Sequence, residues 1–145
     1  MGATPYLFRS GFNAGIAFAE DVRPKDYPRD LLKQGIAEGK RIRKYFSGNF
    51  YPLVEVSARP SDWCVMQYHR PEQNDGMLMA FRRQESPRGT CECRLREIDP
   101  AADYRLTTYR TYEPEKVLTM KGAALQKLTI EIDDRPGSVL MEYAQ

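Results

Sequence analysis

The stretch CECRLR, at residues 91–96, decides the fold class more clearly than any other part of this sequence. Two cysteines and a leucine alternate strictly with a glutamate and two arginines. Successive side chains of an extended strand point to opposite faces, so this spacing places the apolar residues on one face and the charges on the other. The stretch therefore predicts a β-strand with one buried and one solvated face, as antiparallel sheets commonly have.

The same period of two recurs on both sides of this stretch. Clusters of proline, glycine and aspartate separate the alternating segments, and the Asp-Gly pair at 75–76 predicts a tight hairpin. Further strands are predicted at 50–56, 63–69, 77–83, 104–109, 117–120, 128–132 and 139–143. Seven or eight short strands at this spacing are typical of a mainly β fold, an antiparallel β-sandwich, which we place at residues 48–145.

One α-helix is predicted before the sandwich, at about residues 28–46. Asp26 is the predicted N-cap, and Gly48 is predicted to end the helix in a left-handed conformation. Residues 5–12 are predicted to be a strand or an extended segment. The apolar residues of the helix recur at helical spacing and form one stripe, which consists of Leu31, Leu32, Gly35, Ile36, Gly39, Ile42, Tyr45 and Phe46.

Composition narrows the range of partners. The chain has 145 residues, of which 41% are hydrophobic, and this is enough to form an ordered core. Because 22 basic residues are balanced by 20 acidic ones, the charge gives no reason to expect nucleic acid or a membrane as partner. Three cysteines cannot form a complete disulfide framework. Reduced cysteines and the lack of a signal peptide favour the cytoplasm, although the compartment stays open.

The residues that carry chemistry do not form a self-sufficient active site. His69 is the only histidine, and its place at the end of a strand before Arg70 and Pro71 predicts a rim position. No cluster has the spacing of metal ligands and no glycine-rich loop could hold a phosphate, so no metal or cofactor is predicted. The aspartates of the turns are expected to bond to backbone, and the tyrosines and the tryptophan to pack in a core or an interface.

The order of several short segments resembles the C-terminal region of bacterial α-galactosidase-like glycoside hydrolases, the melibiase group of family thirty-six. The resemblance covers most of the chain and rests on the series as a whole. Its segments are GNFYPL at 48–53, WCVMQY at 63–68, RPEQNDGM at 70–77, AFRR at 80–83, LREIDP at 95–100 followed by Tyr104, and DRPGS at 134–138.

The resemblance implies that catalysis and support belong to different domains of a longer enzyme. In that family a (β/α)₈ barrel hydrolyses the substrate with two aspartates, and an antiparallel sandwich packs beside it. Residues 1–47 would then be the last strand region and helix of the barrel, with residues 48–145 as the sandwich. Neither catalytic aspartate would lie in this chain, because a barrel needs about 250 residues. Arg9, Ser10 and Asp21 would lie near the rim of the last barrel strand, where they could touch substrate.

Three functions are compatible with this interpretation. The first is a non-catalytic accessory domain that braces the barrel of a parent glycoside hydrolase or mediates its assembly, so that this chain alone is inactive. The second is a carbohydrate-binding module, which would need an exposed row of aromatic side chains. The third is a structural domain that self-associates, with the apolar stripe of the helix driving a homo-oligomer.

Overall fold

The computed structural model describes residues 4–12 and 19–145. The helices are α1 (Pro5–Ser10), α2 (Arg29–Ile42) and α3 (Gly122–Leu125), and a 3₁₀ turn, Arg43–Ser47, follows α2 directly. The strands are β1 (Asn49–Pro52), β2 (Cys64–Arg70), β3 (Asp75–Arg82), β4 (Thr90–Cys93), β5 (Asp103–Tyr109), β6 (Lys116–Lys121), β7 (Leu128–Glu131) and β8 (Gly137–Ala144).

The strands form two antiparallel sheets, which confirms the predicted mainly β class. Six strands make a large sheet in the order β1-β2-β3-β8-β5-β6, and β4 pairs with β7 in a small one. The face of CECRLR that was predicted to be buried is indeed packed inward, since Cys93 and Leu95 lie in the core between the two sheets. Strand β5 alternates as predicted, with Tyr104 and Leu106 buried in the same core.

The large sheet carries an apolar core on each of its faces. Strand β3 is central and is buried on both sides. Leu78 and Ala80 pack toward the small sheet, whereas Met77, Met79 and Phe81 pack toward α1, α2 and the 3₁₀ turn. The molecule is therefore a three-layer arrangement of small sheet, large sheet and helices, and the helices occupy a face that a two-layer sandwich would leave to solvent.

The helical layer differs from the sequence prediction in three places. Residues 5–10 form a helix instead of a strand, because Pro5 occupies its first turn and the Thr4 hydroxyl accepts a hydrogen bond from the Leu7 N–H. The predicted cap Asp26 is not used, since α2 begins after Pro28 without a side-chain cap. Gly48 is extended, with φ −81° and ψ −174°, because it follows a 3₁₀ turn and leads directly into β1.

The predicted Asp-Gly turn is also placed differently. Asp75 and Gly76 are the first two residues of β3, and the left-handed residue of the turn is Asn74, with φ 48°. Gly76 is required for a packing reason. A Cβ atom there would lie 2.3 Å from the Tyr143 hydroxyl, which crosses over this position from β8.

Candidate docking face and surface cleft

Small residues let α2 lie close to the sheet. Gly35, Glu38, Gly39 and Ile42 are buried at the spacing of one helix face. A Cβ atom at Gly35 would lie 2.9 Å from both the Phe8 ring and the Tyr112 hydroxyl. Residue 35 therefore has to be glycine for α1, α2 and the segment after β5 to meet at this point.

A buried ion pair joins α1 to α2 inside this contact. Arg9 Nη2 lies 2.7 Å from Glu38 Oε1, and Arg9 Nε lies 2.9 Å from Glu38 Oε2, so the pair is bidentate. The two side chains are 0% and 1% exposed. Taking both charges out of water is costly, and only close geometry with additional hydrogen bonds offsets that cost.

Arg9 makes those additional hydrogen bonds to two other parts of the chain. Its guanidinium donates to the carbonyl of Thr111 at 2.7 Å, to the hydroxyl of Ser138 at 3.1 Å and to the carbonyl of Arg110 at 3.4 Å. One side chain thus connects α1, α2, the segment after β5 and the start of β8. We call this set the Arg9–Glu38 lock.

The three residues that the resemblance placed near a substrate have different surroundings. Arg9 is buried in the lock. Ser10 is exposed and donates to the Leu7 carbonyl at 2.8 Å, and Asp21 is exposed and accepts from the Arg23 guanidinium at 2.8 Å. Within residues 4–12 and 19–145, no hydrogen bond or ion pair joins any two of the three. Their role at a substrate stays a prediction.

Sequence reasoning missed Glu38, the partner of Arg9. The sequence did carry a signal, since Glu38 lies three residues after Gly35 and four before Ile42, on the apolar side of the helix. A charged residue on such a stripe is rarely buried unless it is paired. Its partner could not be identified from spacing, because Arg9 lies 29 residues away.

A second polar cluster fixes the end of α2 to the middle of the sheet. Glu142 of β8 accepts hydrogen bonds from Arg41 Nε at 2.8 Å and from the Tyr45 hydroxyl at 3.1 Å. Burial and the nearby Glu142 carboxylate raise the pKa of Tyr45 far above its ordinary value, so its hydroxyl stays protonated. The Arg41 guanidinium also lies 4.5 Å from the centre of the Tyr109 ring.

The outer side of the helical layer is partly apolar. Leu31 and Ile36 of α2 are 40% and 36% exposed, and Leu7 of α1 is 47% exposed. Single exposed apolar residues are common, but here two of them belong to the apolar stripe predicted for this helix. We call Leu7, Leu31 and Ile36 the outer helical face. Leu31 lies in the first turn of α2, on the line of the buried residues, and Ile36 lies about 140° around the helix axis from it. The apolar stripe of α2 thus extends past its contact with the sheet at one end and along one side.

A surface cleft of about 800 Å³ opens on the other side of the molecule, beside Trp63. Its wall carries Arg59, Asp62, Arg88 and Glu92, so both signs of charge are present. The hydrogen bond from Ser57 lowers the pKa of Asp62, which is therefore ionised near neutral pH and cannot act as a general acid. The cleft offers charged and polar contacts around one indole edge.

The indole itself has little free surface. Trp63 is 9% exposed, and its N–H donates to the Arg88 carbonyl at 3.0 Å. A carbohydrate could therefore contact little of this ring, since most of it is packed in the core.

His69 is buried, which corrects the prediction that it lies at the rim. It is 1% exposed because β2 extends one residue past His69, to Arg70, and the His69 side chain lies against Tyr143 in the core between the sheets. Gln67 is oriented by the backbone of Arg96, which donates to Gln67 Oε1 at 2.7 Å and accepts from Gln67 Nε2 at 2.9 Å. Gln67 Nε2 also donates to the Tyr143 hydroxyl at 2.7 Å.

His69 also takes part in this cluster. The Tyr143 hydroxyl that accepts from Gln67 lies 2.8 Å from His69 Nδ1, and the tautomer of His69 decides which of the two donates. Burial lowers the pKa of His69 below its ordinary 6.5, which keeps the imidazole neutral. This histidine is a satisfied core residue without access to a substrate.

The remaining candidate groups add no chemistry. Cys64, Cys91 and Cys93 are all free thiols, and burial raises the pKa of Cys93 to about 12. Across residues 4–12 and 19–145, histidine, cysteine and carboxylate side chains form no group of three that could hold a metal ion. In the same part of the chain no helix has the length and apolar character needed to cross a membrane.

Comparisons with known proteins add a likeness of fold. No family model and no curated protein match the sequence. The structure is similar to that of the GH36 alpha-galactosidase AgaB from Geobacillus stearothermophilus, with a TM-score of 0.59 and 19% sequence identity. The match covers 84% of this chain and 16% of that enzyme. This chain therefore spans a small part of the enzyme's length, and at this identity the likeness concerns the fold alone.

Proposed function

We propose that this chain is a non-catalytic accessory domain of an α-galactosidase-like glycoside hydrolase and that it braces a catalytic (β/α)₈ barrel. The observation that carries the proposal is the outer helical face. Leu31 and Ile36 continue the apolar stripe of α2 beyond its contact with the sheet, and both are at least 36% exposed. Exposed apolar residues in the first turn and along one side of this stripe are positions at which a neighbouring domain could bury apolar surface.

The helical layer is also rigid enough to transmit such a contact. The Arg9–Glu38 lock and the Arg41–Glu142 pair hold α1 and α2 on the large sheet through side chains of α1, α2 and β8. A barrel that packs on α2 would therefore rest on the whole sandwich. In this proposal residues 1–47 complete the barrel and residues 48–145 form the supporting sandwich.

The proposal also assigns places to the three residues that the resemblance singled out. Ser10 and Asp21 are exposed, so they are available to a substrate held by the neighbouring barrel. Arg9 is buried and would act by fixing the position of α1. The hydrolytic carboxylates would belong to the barrel, and this chain alone would be inactive.

The first experiment is an assay of the chain on aryl α-galactosides. We expect no hydrolysis above the buffer blank, since in this proposal the hydrolytic carboxylates belong to the barrel. Hydrolysis by the purified chain that persists through further purification would contradict the accessory role.

A chimera tests the bracing role directly. The matched segment of the Geobacillus enzyme is replaced by this chain, and the half-life of α-galactosidase activity on heating is measured. Leu31→Glu with Ile36→Glu should shorten that half-life, because charges would then face the barrel. The matched control is Lys33→Glu with Gln34→Glu, which changes exposed residues of the same helix that are not apolar. Equal half-lives for the two pairs would refute the proposed contact.

The cleft beside Trp63 favours carbohydrate binding as a second candidate function. Its size of about 800 Å³ suits a small oligosaccharide, and its charged side chains could bond to hydroxyl groups. Trp63 is the only tryptophan, so its fluorescence reports on the cleft without further labelling. Titration with galacto-oligosaccharides should change this signal, and Asp62→Ala should weaken the response while Glu113→Ala should not. No response at millimolar sugar removes this candidate.

A further inference from the structure

Strand β6 forms one end of the large sheet, and its outer edge has no strand beside it within residues 4–12 and 19–145. Its inner edge pairs with β5 in the register Lys121↔Asp103. The Gly122 N–H donates to the Ala102 carbonyl at 2.9 Å, so the backbone groups of the even-numbered residues of β6 point toward β5. Because the direction of backbone groups alternates along a strand, those of Val117, Thr119 and Lys121 point outward.

The side chains on this edge are unusually apolar for an open strand. Val117 is 48% exposed and Leu118 is 37% exposed, and they lie on opposite faces of the sheet. Open edges are usually protected by a charge, a proline or a bulge within the strand. Here the lysines stand only at the two ends, at positions 116 and 121, so the centre of the edge is free to pair.

We propose that β6 pairs antiparallel with β6 of a second copy of this chain, about a two-fold axis that passes through Thr119. The outward backbone groups then meet in hydrogen-bonded pairs, with Thr119 opposite its own copy and Val117 opposite Lys121. Leu118 faces Met120 of the other copy on the sandwich side. The two large sheets would form one continuous sheet.

The charges at the two ends of β6 favour a second copy as the occupant. Glu115 lies just before the strand and pairs with Arg110, and Lys121 ends the strand and pairs with Asp103; both pairs are exposed. Antiparallel pairing about Thr119 would bring each Lys121 diagonally beside Glu115 of the other copy, so that the two exposed pairs join into one network. Lys116 falls opposite Gly122, and no lysine faces a lysine. Moving the axis to Lys121 would set two lysines against each other, and moving it to Val117 would leave most of the edge unpaired. An axis at Leu118 would place Lys121 opposite Glu115, but the Glu115 N–H is already bonded inward to the Thr108 carbonyl at 2.9 Å, so fewer outward backbone pairs could form there than about Thr119.

This inference does not depend on the proposed function, because it concerns the opposite end of the sheet from β1 and uses none of the outer helical face. It can therefore fail while the accessory role stands. The chain itself is the material for the test.

Site-specific cross-linking tests the register. Residues in a hydrogen-bonded antiparallel pair have Cα atoms about 5.5 Å apart, which a disulfide can span. Thr119→Cys should therefore form a covalent dimer under mild oxidation. Lys121→Cys is the matched control, since its Cα would lie roughly 13 Å from its own copy, four residues away along the strand. The unchanged protein, with its three native thiols, is the blank.

Sedimentation velocity over a wide range of concentrations tests the dimer itself. The unchanged chain should dimerise reversibly, and Val117→Lys should weaken the dimer by about tenfold or more, because a lysine would then face Lys121. Val117→Thr should keep most of the affinity. If Val117→Lys proves unfolded by circular dichroism, Thr119→Pro serves instead, since it removes only an outward N–H. A chain that stays monomeric throughout, or equal cross-linking at 119 and 121, overturns the proposal.

Discussion

The Arg9–Glu38 lock yields the sharpest prediction about stability. Arg9→Met removes the guanidinium but keeps much of the apolar volume, and it leaves the Glu38 carboxylate 1% exposed with Arg41 as its nearest cation, 4.0 Å away. Breaking a buried pair from one side costs about 3–5 kcal/mol, because the remaining charge stays desolvated. The carbonyl of Thr111 would lose its donor as well. A domain of this kind is stable by about 5–15 kcal/mol, so a large share would be lost.

The assay is urea unfolding followed by circular dichroism at 222 nm. Arg9→Met, Glu38→Met and the double variant form a cycle, in which the double variant should lose about 2 kcal/mol less than the two single losses added together. Arg23→Met is the matched control. The Arg23–Asp21 pair has a similar contact of 2.8 Å, but its side chains are 88% and 53% exposed, so the loss should be far smaller than that of Arg9→Met.

Two results would refute this reasoning. If Arg9→Met costs no more than Arg23→Met, burial does not determine the strength of the pair. If the double variant loses as much as the two single variants together, Arg9 and Glu38 are not energetically coupled. In either case the Arg9–Glu38 pair would contribute little of its own to holding the helical layer on the sheet.

The remaining predictions concern packing, pH and thiol reactivity. Gly35→Ala should destabilise the fold by about 1–3 kcal/mol in thermal unfolding, because the new methyl group would displace a buried ring. This loss is expected even though alanine is the better helix former, and the control Gln34→Ala should be neutral or stabilising. Burial lowers the pKa of His69 in the folded protein, so as the pH falls the unfolded chain binds a proton at a higher pH than the folded protein does. The free energy of unfolding should therefore fall as the pH drops below about 6.5, and His69→Gln should lose this part of the pH dependence. With the pKa of Cys93 raised to about 12, iodoacetamide at pH 8 should label the half-buried Cys91 before Cys93, as mass spectrometry of timed samples would show.

The sandwich could be predicted from the sequence because its signals are local. Alternation at residues 91–96 and in β5 reflects burial on one face, which each strand expresses by itself. The apolar run of the fully buried β3 and its place beside a turn predicted this strand correctly, although the turn was predicted one or two residues too far toward the C-terminus. The Asp-Gly signal is local as well, but Tyr143, 67 residues away, requires the glycine for packing.

The helical layer was harder to predict because long-range contacts decide it. The apolar run at residues 5–8 suits either a strand or a helix, and the choice depends on the Thr4 cap and on packing against α2. His69 was misplaced for a similar reason, since its burial depends on Tyr143 at the other end of the chain. Glu38 was passed over because its partner lies in a different helix.

The burial of β3 on both of its faces has a consequence for how the molecule unfolds. Its odd-numbered side chains, Met77, Met79 and Phe81, belong to one core, and its even-numbered ones belong to the other. Detaching the helices would expose three large side chains to water, at roughly 1.5–3 kcal/mol each. Amide hydrogen exchange should therefore find α2 and β3 opening together as one cooperative unit. A protein cut between residues 47 and 48 would keep every strand and still lose the helices that cover one face of β3.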